Sequence, residues 1–243
     1  MKKRVAYIVL LCLGWTSVLG ASAFQDLDFE SATLSPPPTG PGGVFFAPAF
    51  PGWSGFAGTN QLDTALYDAT YLDSAAISIV DTNPLGPGVF GKLIDGNYTV
   101  VLQAGNYPPF GPPPVGPTDV SLSQTGIVPT GTKTLAFYAL PAGGFAASPF
   151  AVSLGGSNLT LVPFPVAGEN YTLYEADVSA FAGLDEELKF TLFSQNPHVD
   201  NRYLSIDDIM FSPDAIPEPS SLNLLVIGIV GLGIWRVTWR KTS

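Results

Sequence analysis

The side chains able to do covalent or metal chemistry are few in this chain of 243 residues, whose one histidine is His198 and whose one cysteine is Cys12. Cys12 falls in a segment that reads as removable, so thiol catalysis and sites with several histidine ligands are excluded from the mature chain. A serine triad would have to use His198. That residue lies in the polar run Ser194-Gln195-Asn196-Pro197-His198-Val199-Asp200-Asn201, which reads as a hairpin tip, and no Gly-x-Ser-x-Gly elbow accompanies it. Carboxylates are plentiful instead: 19 lie between Phe24 and Ile216 against Lys92, Lys133, Lys189 and Arg202, a balance of -15. Two suitably spaced carboxylates are all a glycosidase needs, so number alone leaves a glycan hydrolase open without singling out a pair. Asp185-Glu186-Glu187 reads as a solvated turn before a strand. The run Asp81-Thr82-Asn83-Pro84-Leu85-Gly86 opens like a calcium loop, but Lys92 stands where a bidentate acid belongs. Trp53, Phe56, Tyr67 and Tyr71 can stack on sugar rings if exposed, and core packing is their expected fate. The negative excess repels phosphate backbones, which argues against nucleic acid as a partner.

Strands must position these residues. With 23 prolines and 26 glycines, helical runs are interrupted throughout, while Val, Thr, Phe and Tyr favour pleated segments. Period-2 alternation is plainest where Leu188, Phe190 and Leu192 share one face and Lys189 and Thr191 the other. Similar runs at Phe24–Glu30, Ala76–Val80, Tyr98–Gln103, Val120–Gln124, Thr134–Leu140, Phe150–Leu154, Asn158–Val162, Tyr171–Asp177 and Tyr203–Phe211 predict about ten strands. Strands and helices do not alternate, so the expected fold is all-β, an antiparallel two-sheet sandwich over residues 24–213. Ser35–Gly52 and Gly105–Pro117 are rich enough in Pro and Gly to be expected as long surface loops.

The two ends have a different character. Lys2, Lys3 and Arg4 precede an apolar stretch from Val5 to Leu19, and Ala21-Ser22-Ala23 supplies small residues at the spacing a signal peptidase reads, so residues 1–23 are expected to leave after Sec-dependent export. An uncleaved N-terminal anchor is the alternative. At the other end a linker, residues 214–221, contains Pro217-Glu218-Pro219, which can join neither a helix nor a central strand. Residues 222–243 form a membrane helix and basic tail. The apolar run Leu222–Trp235 reaches about 21 Å as a helix against about 30 Å of hydrocarbon, so it spans only with help from Arg236 and its neighbours. Basic residues at both ends stay in the cytoplasm while the acidic middle crosses.

The order Ile216-Pro217-Glu218-Pro219-Ser220-Ser221, short apolar helix, Arg236-Val237-Thr238-Trp239-Arg240-Lys241-Thr242-Ser243 resembles the PEP-CTERM sorting signal of Gram-negative bacteria. The resemblance implies that an exosortase recognises Pro217, Glu218 and Pro219, that Arg236, Arg240 and Lys241 hold the tail in the cytoplasm, and that the helix anchors the chain transiently at the inner membrane. A permanent single-pass anchor is the competing reading. In the same way "LDFES", "FPGWSGF", "DGNYTVVLQ", "VSLSQTG", "GTKTLAFYA", "YEADVSAFAG", "LKFTLFS" and "LSIDDIMFS" together resemble the galactose-binding-like jelly rolls that often precede this signal. That resemblance implies a structural calcium ion at Glu30, Asp207 and Asp208. The residues themselves read equally as turn-capping acids at a sheet rim, and adjacent Asp207 and Asp208 on a strand would face opposite ways. The expected function is a noncatalytic protein of the cell surface or extracellular matrix that binds carbohydrate such as exopolysaccharide, with a secreted glycan hydrolase as the alternative.

Overall fold

The computed structural model describes residues 22–35, 42–81, 93–107, 116–143, 149–194 and 202–216. The expectations for the signal-peptide core, for His198, and for Pro217, Glu218, Pro219, Arg236, Arg240 and Lys241 lie outside these residues. The described elements run β1 (Gly42–Phe45), a single helical turn α1 (Phe46–Ala49), β2 (Ser54–Ala57), β3 (Asn60–Gln61), β4 (Thr64–Tyr67), β5 (Ala76–Asp81), β6 (Tyr98–Ala104), β7 (Val120–Ile127), β8 (Thr134–Gly143), β9 (Phe150–Leu154), β10 (Ser157–Asn158), β11 (Val162–Pro165), β12 (Thr172–Asp177), β13 (Asp185–Leu192) and β14 (Arg202–Ser212). Among the described residues no helix is long and apolar enough to cross a membrane.

Alternation decides the architecture. Leu188, Phe190 and Leu192 of β13 are fully buried, as their spacing predicts, and face Leu122 of β7 and Val152 and Leu154 of β9 within one core. An eight-stranded sheet, β1-β4-β5-β6-β14-β8-β12-β11, packs over a six-stranded sheet, β10-β9-β13-β7-β2-β3. Ile77, Ile79, Val100, Leu102, Phe137, Leu204 and Ile206 supply the inner face of the large sheet. Phe137 meets Phe190 of the opposite sheet edge-to-face at 5.1 Å. The edges are blunt: β3 and β10 are two residues each, and β11 carries Pro163 and Pro165. Short or proline-bearing edges discourage pairing with another chain.

Five expectations change. Asn158–Val162 is not a strand, since β10 ends at Asn158 and β11 begins at Val162. Phe24–Glu30 forms turns rather than a strand, with Asp26 at φ 48° and Phe29 at φ 58°. Its local acids explain this, because Asp26 Oδ1 accepts from Ser31 N–H and Asp28 Oδ1 from Glu30 N–H. Ser35–Gly52 is not simply a surface loop. β1 and α1 lie within it, and Val44, Phe46, Ala49 and Phe50 are buried, the apolar burial outweighing the local Gly and Pro. The sheets are not wholly antiparallel, since β4 and β5 run parallel, with Leu66 opposite Ser78. Asp185, Glu186 and Glu187 lie on β13 itself rather than in a turn before it.

Candidate functional site on the outer face of the large sheet

Register places a mixed row of side chains on the face of the eight-stranded sheet that points away from the core. Val80 pairs with Thr99, Asp207 with Tyr138, Tyr138 with Leu173 and Leu173 with Phe164, while their chain neighbours Val100, Ile206 and Phe137 point inward. Asp207 is 1% exposed at the middle of this row. Its Oδ2 accepts from the Thr99 hydroxyl at 2.5 Å and from Asp95 N–H at 3.3 Å, and its Oδ1 from Asp208 N–H at 2.9 Å. Thr99 is itself oriented, because its Oγ1 accepts from Ile94 N–H at 2.9 Å. Burial outweighs these donors and pushes the Asp207 carboxyl up to about 7.

The three predicted calcium residues reach the same rim without converging. A bulge between Asp207 and Met210, with Asp208 at φ 48°, takes Asp208 out of plain strand alternation and leaves it half-buried. Glu30 acts as a turn cap: Oε1 accepts from Asn97 N–H (2.7 Å) and Tyr98 N–H (3.0 Å), and Oε2 from the Asn97 side-chain amide (2.7 Å). Partial desolvation opposes ionisation of Glu30, yet the Asn97 amide and the two backbone donors win and hold its carboxyl below the usual value. The turn admits only glycine at Gly96, at φ 59°, where a Cβ would fall 2.2 Å from Glu30 Oε1. Among the described residues no three His, Cys, Asp or Glu side chains form a group that could hold a metal ion. As placed, Glu30 caps the turn at Asn97 and Asp207 is held by Thr99, Asp95 and Asp208.

Crowding of like charge is real nonetheless. Burial, then Asp95, Asp28 and Glu30, raise the carboxyl of Asp208. Beside these acids the outer face turns aromatic. Tyr138 and Tyr171 meet edge-to-face at 5.3 Å, both half-buried, with Leu173, Phe164 and exposed Met210 around them. Burial, then Glu169, Tyr138, Asp95 and Asp208, raise the Tyr171 phenol, which places that ring within electrostatic reach of the acidic rim. Of the aromatics singled out from sequence, Trp53 and Tyr67 are buried in the core, Phe56 is half-buried on β2, and Tyr71 is exposed. Tyr138 and Tyr171 are not among them. A signal for both is present in Phe137-Tyr138 and in Tyr171 with Tyr174, where aromatics occupy both phases of a strand and so mark an outer face with its own contacts.

No protein-family model matches the chain, and no curated protein matches it. Three solved structures are similar in fold. The K1 cleaved adhesin domain of Lys-gingipain from Porphyromonas gingivalis W83 shares 15% identity over 68% of this chain and 92% of its own, with a TM-score of 0.38. The K2 cleaved adhesin domain of Lys-gingipain shares 17% over 76% and 96%, at 0.42. TmCBM61, solved with β-1,4-galactotriose, shares 12% over 79% and 99%, at 0.34. These scores fall below 0.5, so the functional reading rests on this chain's own side chains.

Proposed function

We propose that this chain is an exported, noncatalytic surface module that binds a neutral glycan across the outer face of the large sheet. The supporting observation is the half-exposed Tyr138–Tyr171 pair beside Asp95 and Asp208. Aromatic faces cover the apolar C–H surface of a sugar ring, and carboxylates at their edge accept from its hydroxyls. The noncatalytic part of this reading is supported by Glu30 and Asp207, whose oxygens are engaged by N–H and O–H donors. Binding of the purified chain to a glycan array and to isolated exopolysaccharide tests this. Tyr138→Ala and Tyr171→Ala should each weaken retention about tenfold, the loss of one stacked ring; unchanged retention in both variants would sink the reading.

The same proposal puts the module outside the cytoplasm. Cleavage after Ala23 would release it from its leader, and an exosortase acting at Pro217-Glu218-Pro219 would free it from its helix for the cell surface or matrix. The amino-acid pattern of the two ends supports this. Mass spectrometry of the mature protein should find a C-terminus upstream of Leu222, whereas an intact Trp239 would rule out processing.

A further inference from the structure

At the β5-β6-β14 end of the same outer face, buried polar atoms are left without partners. Gln103 and Ser205 are 1% exposed and Ser74 is 2% exposed, yet Gln103 Nε2, Ser205 Oγ and Ser74 Oγ form no hydrogen bond. Native interiors rarely leave such groups unpaired, so each calls for a ligand or an ordered water. Strand register puts them on one face, with the packed Val101–Tyr203 contact between Gln103 and Ser205. Gln103 lies opposite Tyr203 and Val101 opposite Ser205, which makes Gln103 and Ser205 diagonal neighbours about 7–8 Å apart. Ala76 lies on the other side of Gln103, and Ser74, two residues earlier, bridges to Tyr107.

The connection between the parallel strands β4 and β5 roofs this floor. Tyr71 N–H donates to Gln103 Oε1 at 3.1 Å, and the Tyr203 hydroxyl bonds the Thr70 side chain, so the segment from Asp68 to Ala75 arches over β6 and β14. Its two ends are held in left-handed backbone, Asp68 at φ 42° and Asp73 at φ 60°. Asp68 Oδ1 accepts from Asp81 N–H, and Asp73 Oδ1 accepts from both the backbone and the side-chain amide of Asn106. The rim of the arch is apolar and open to solvent: Tyr71 is 43% exposed, Leu72 62% and the adjoining Tyr107 45%.

Chemistry narrows the occupant. An amide N–H that can only donate repels a cation, and Asp68, Asp73 and Asp81 outnumber the one cation at this end, the buried Arg202, and so repel an anion. Hydroxyl groups both donate and accept, which suits Gln103 Nε2, Ser205 Oγ and Ser74 Oγ together, and an apolar ring face suits Tyr71 and Tyr107. We propose that the surface covered by the Asp68–Ala75 arch becomes, once the arch lifts, a binding site for a single neutral sugar unit, separate from the Tyr138–Tyr171 row. Because the floor is covered, the sugar enters as the arch lifts from Gln103.

Thermal-shift and calorimetric titrations of the purified chain with glucose, galactose, mannose, xylose and sorbitol, with glucuronate and glucosamine as charged controls, test the proposal. At least one neutral probe should raise Tm as its concentration grows. Ser205→Ala removes a hydroxyl that bonds nothing in the protein, so the variant should fold normally and bind that probe about tenfold more weakly. Leu184→Ala, at an exposed position just before β13 of the other sheet, should bind it as the parent does. Three results would overturn the site: no neutral probe shifting Tm, Ser205→Ala binding undiminished, or the charged controls binding equally well. Loss of binding in Tyr171→Ala alone would place the sugar on the aromatic row instead. A fall in the Tm of unliganded Ser205→Ala with no response to any probe would identify ordered water as the sole occupant.

Discussion

Asp207 concentrates the physics of the outer face in one side chain. Its carboxyl titrates at about 7 against an ordinary 3.8, a difference worth on the order of 4 kcal/mol. The folded value is the higher one, so between roughly pH 4 and 7 the folded protein keeps a proton that the unfolded chain has released. The stabilisation is therefore complete below about pH 4 and is lost as pH rises through about 7. Asp207→Asn mimics the protonated form permanently. Its Tm should match the parent's closely at about pH 3, exceed it in part at about pH 5 and exceed it most at about pH 8; an equal difference at about pH 3 and about pH 8 would contradict the account. Calcium is a second measurement at this scale. With both Glu30 oxygens engaged by the Asn97 and Tyr98 donors, calcium added to the purified chain should leave Tm where it is, whereas a rise that grows with concentration would show Glu30, Asp207 and Asp208 gathering around an ion. The acidity of Asp207-Asp208 was readable from the sequence. Its burial, its Thr99 partner and the bulge that separates it from Asp208 were not, since each depends on which strand lies alongside.

Among the elements, what could be read in advance was whatever alternates. β9 keeps its predicted bounds, β5, β6 and β14 come within one residue of theirs, and β7 and β13 run three residues further, because a row such as Leu188, Phe190 and Leu192 is satisfied by one buried face whatever covers it. The segment from Gly42 to Gly52 defeated that reasoning, as Gly and Pro mask a stretch whose Val44, Phe46 and Phe50 fill the core. Packing there leans on Gly55. A Cβ at that position would lie 2.4 Å from the Phe46 ring and 2.7 Å from Ile77 Cδ1, so α1 can close over β2 only if residue 55 has no side chain. Gly55 is not in the left-handed region, so the effect of a substitution isolates packing. Gly55→Ala should lower stability by about 1–3 kcal/mol in denaturant unfolding with the slope unchanged; a stability equal to the parent's would mean that α1 is not seated on β2 in this way. The arch over Gln103 was hidden for a related reason, because a parallel β4–β5 pair with so short a crossover has no periodic signature.

For the whole molecule, the decisive property is the uneven placement of charge. The stretch from Phe24 to Ile216 carries -15, and the only basic residues among those described are Lys133, Lys189 and Arg202. Lys189 lies on β13 of the opposite sheet, Lys133 just before β8, and Arg202 is buried at the start of β14, so the acids Asp28, Glu30, Asp95 and Asp208 cluster beside the aromatic row with no lysine among them. A polysaccharide bearing uronate or sulfate would approach this face against like charge, whereas a neutral one meets only ring faces and hydrogen-bond acceptors. The two differ in their response to salt. Raising the concentration from about 0.05 to about 0.5 M shortens the screening length severalfold, which relieves repulsion between charged surfaces and leaves stacking and hydrogen bonding nearly untouched. Retention of the protein by a neutral polysaccharide in affinity electrophoresis should therefore change by less than about twofold over that range. Retention by an anionic one should be weak at low salt and increase as salt is added. Tight anionic binding that salt abolishes would require a positive surface that none of the described residues provides, and would mean that the glycan does not lie along Tyr138, Leu173 and Phe164.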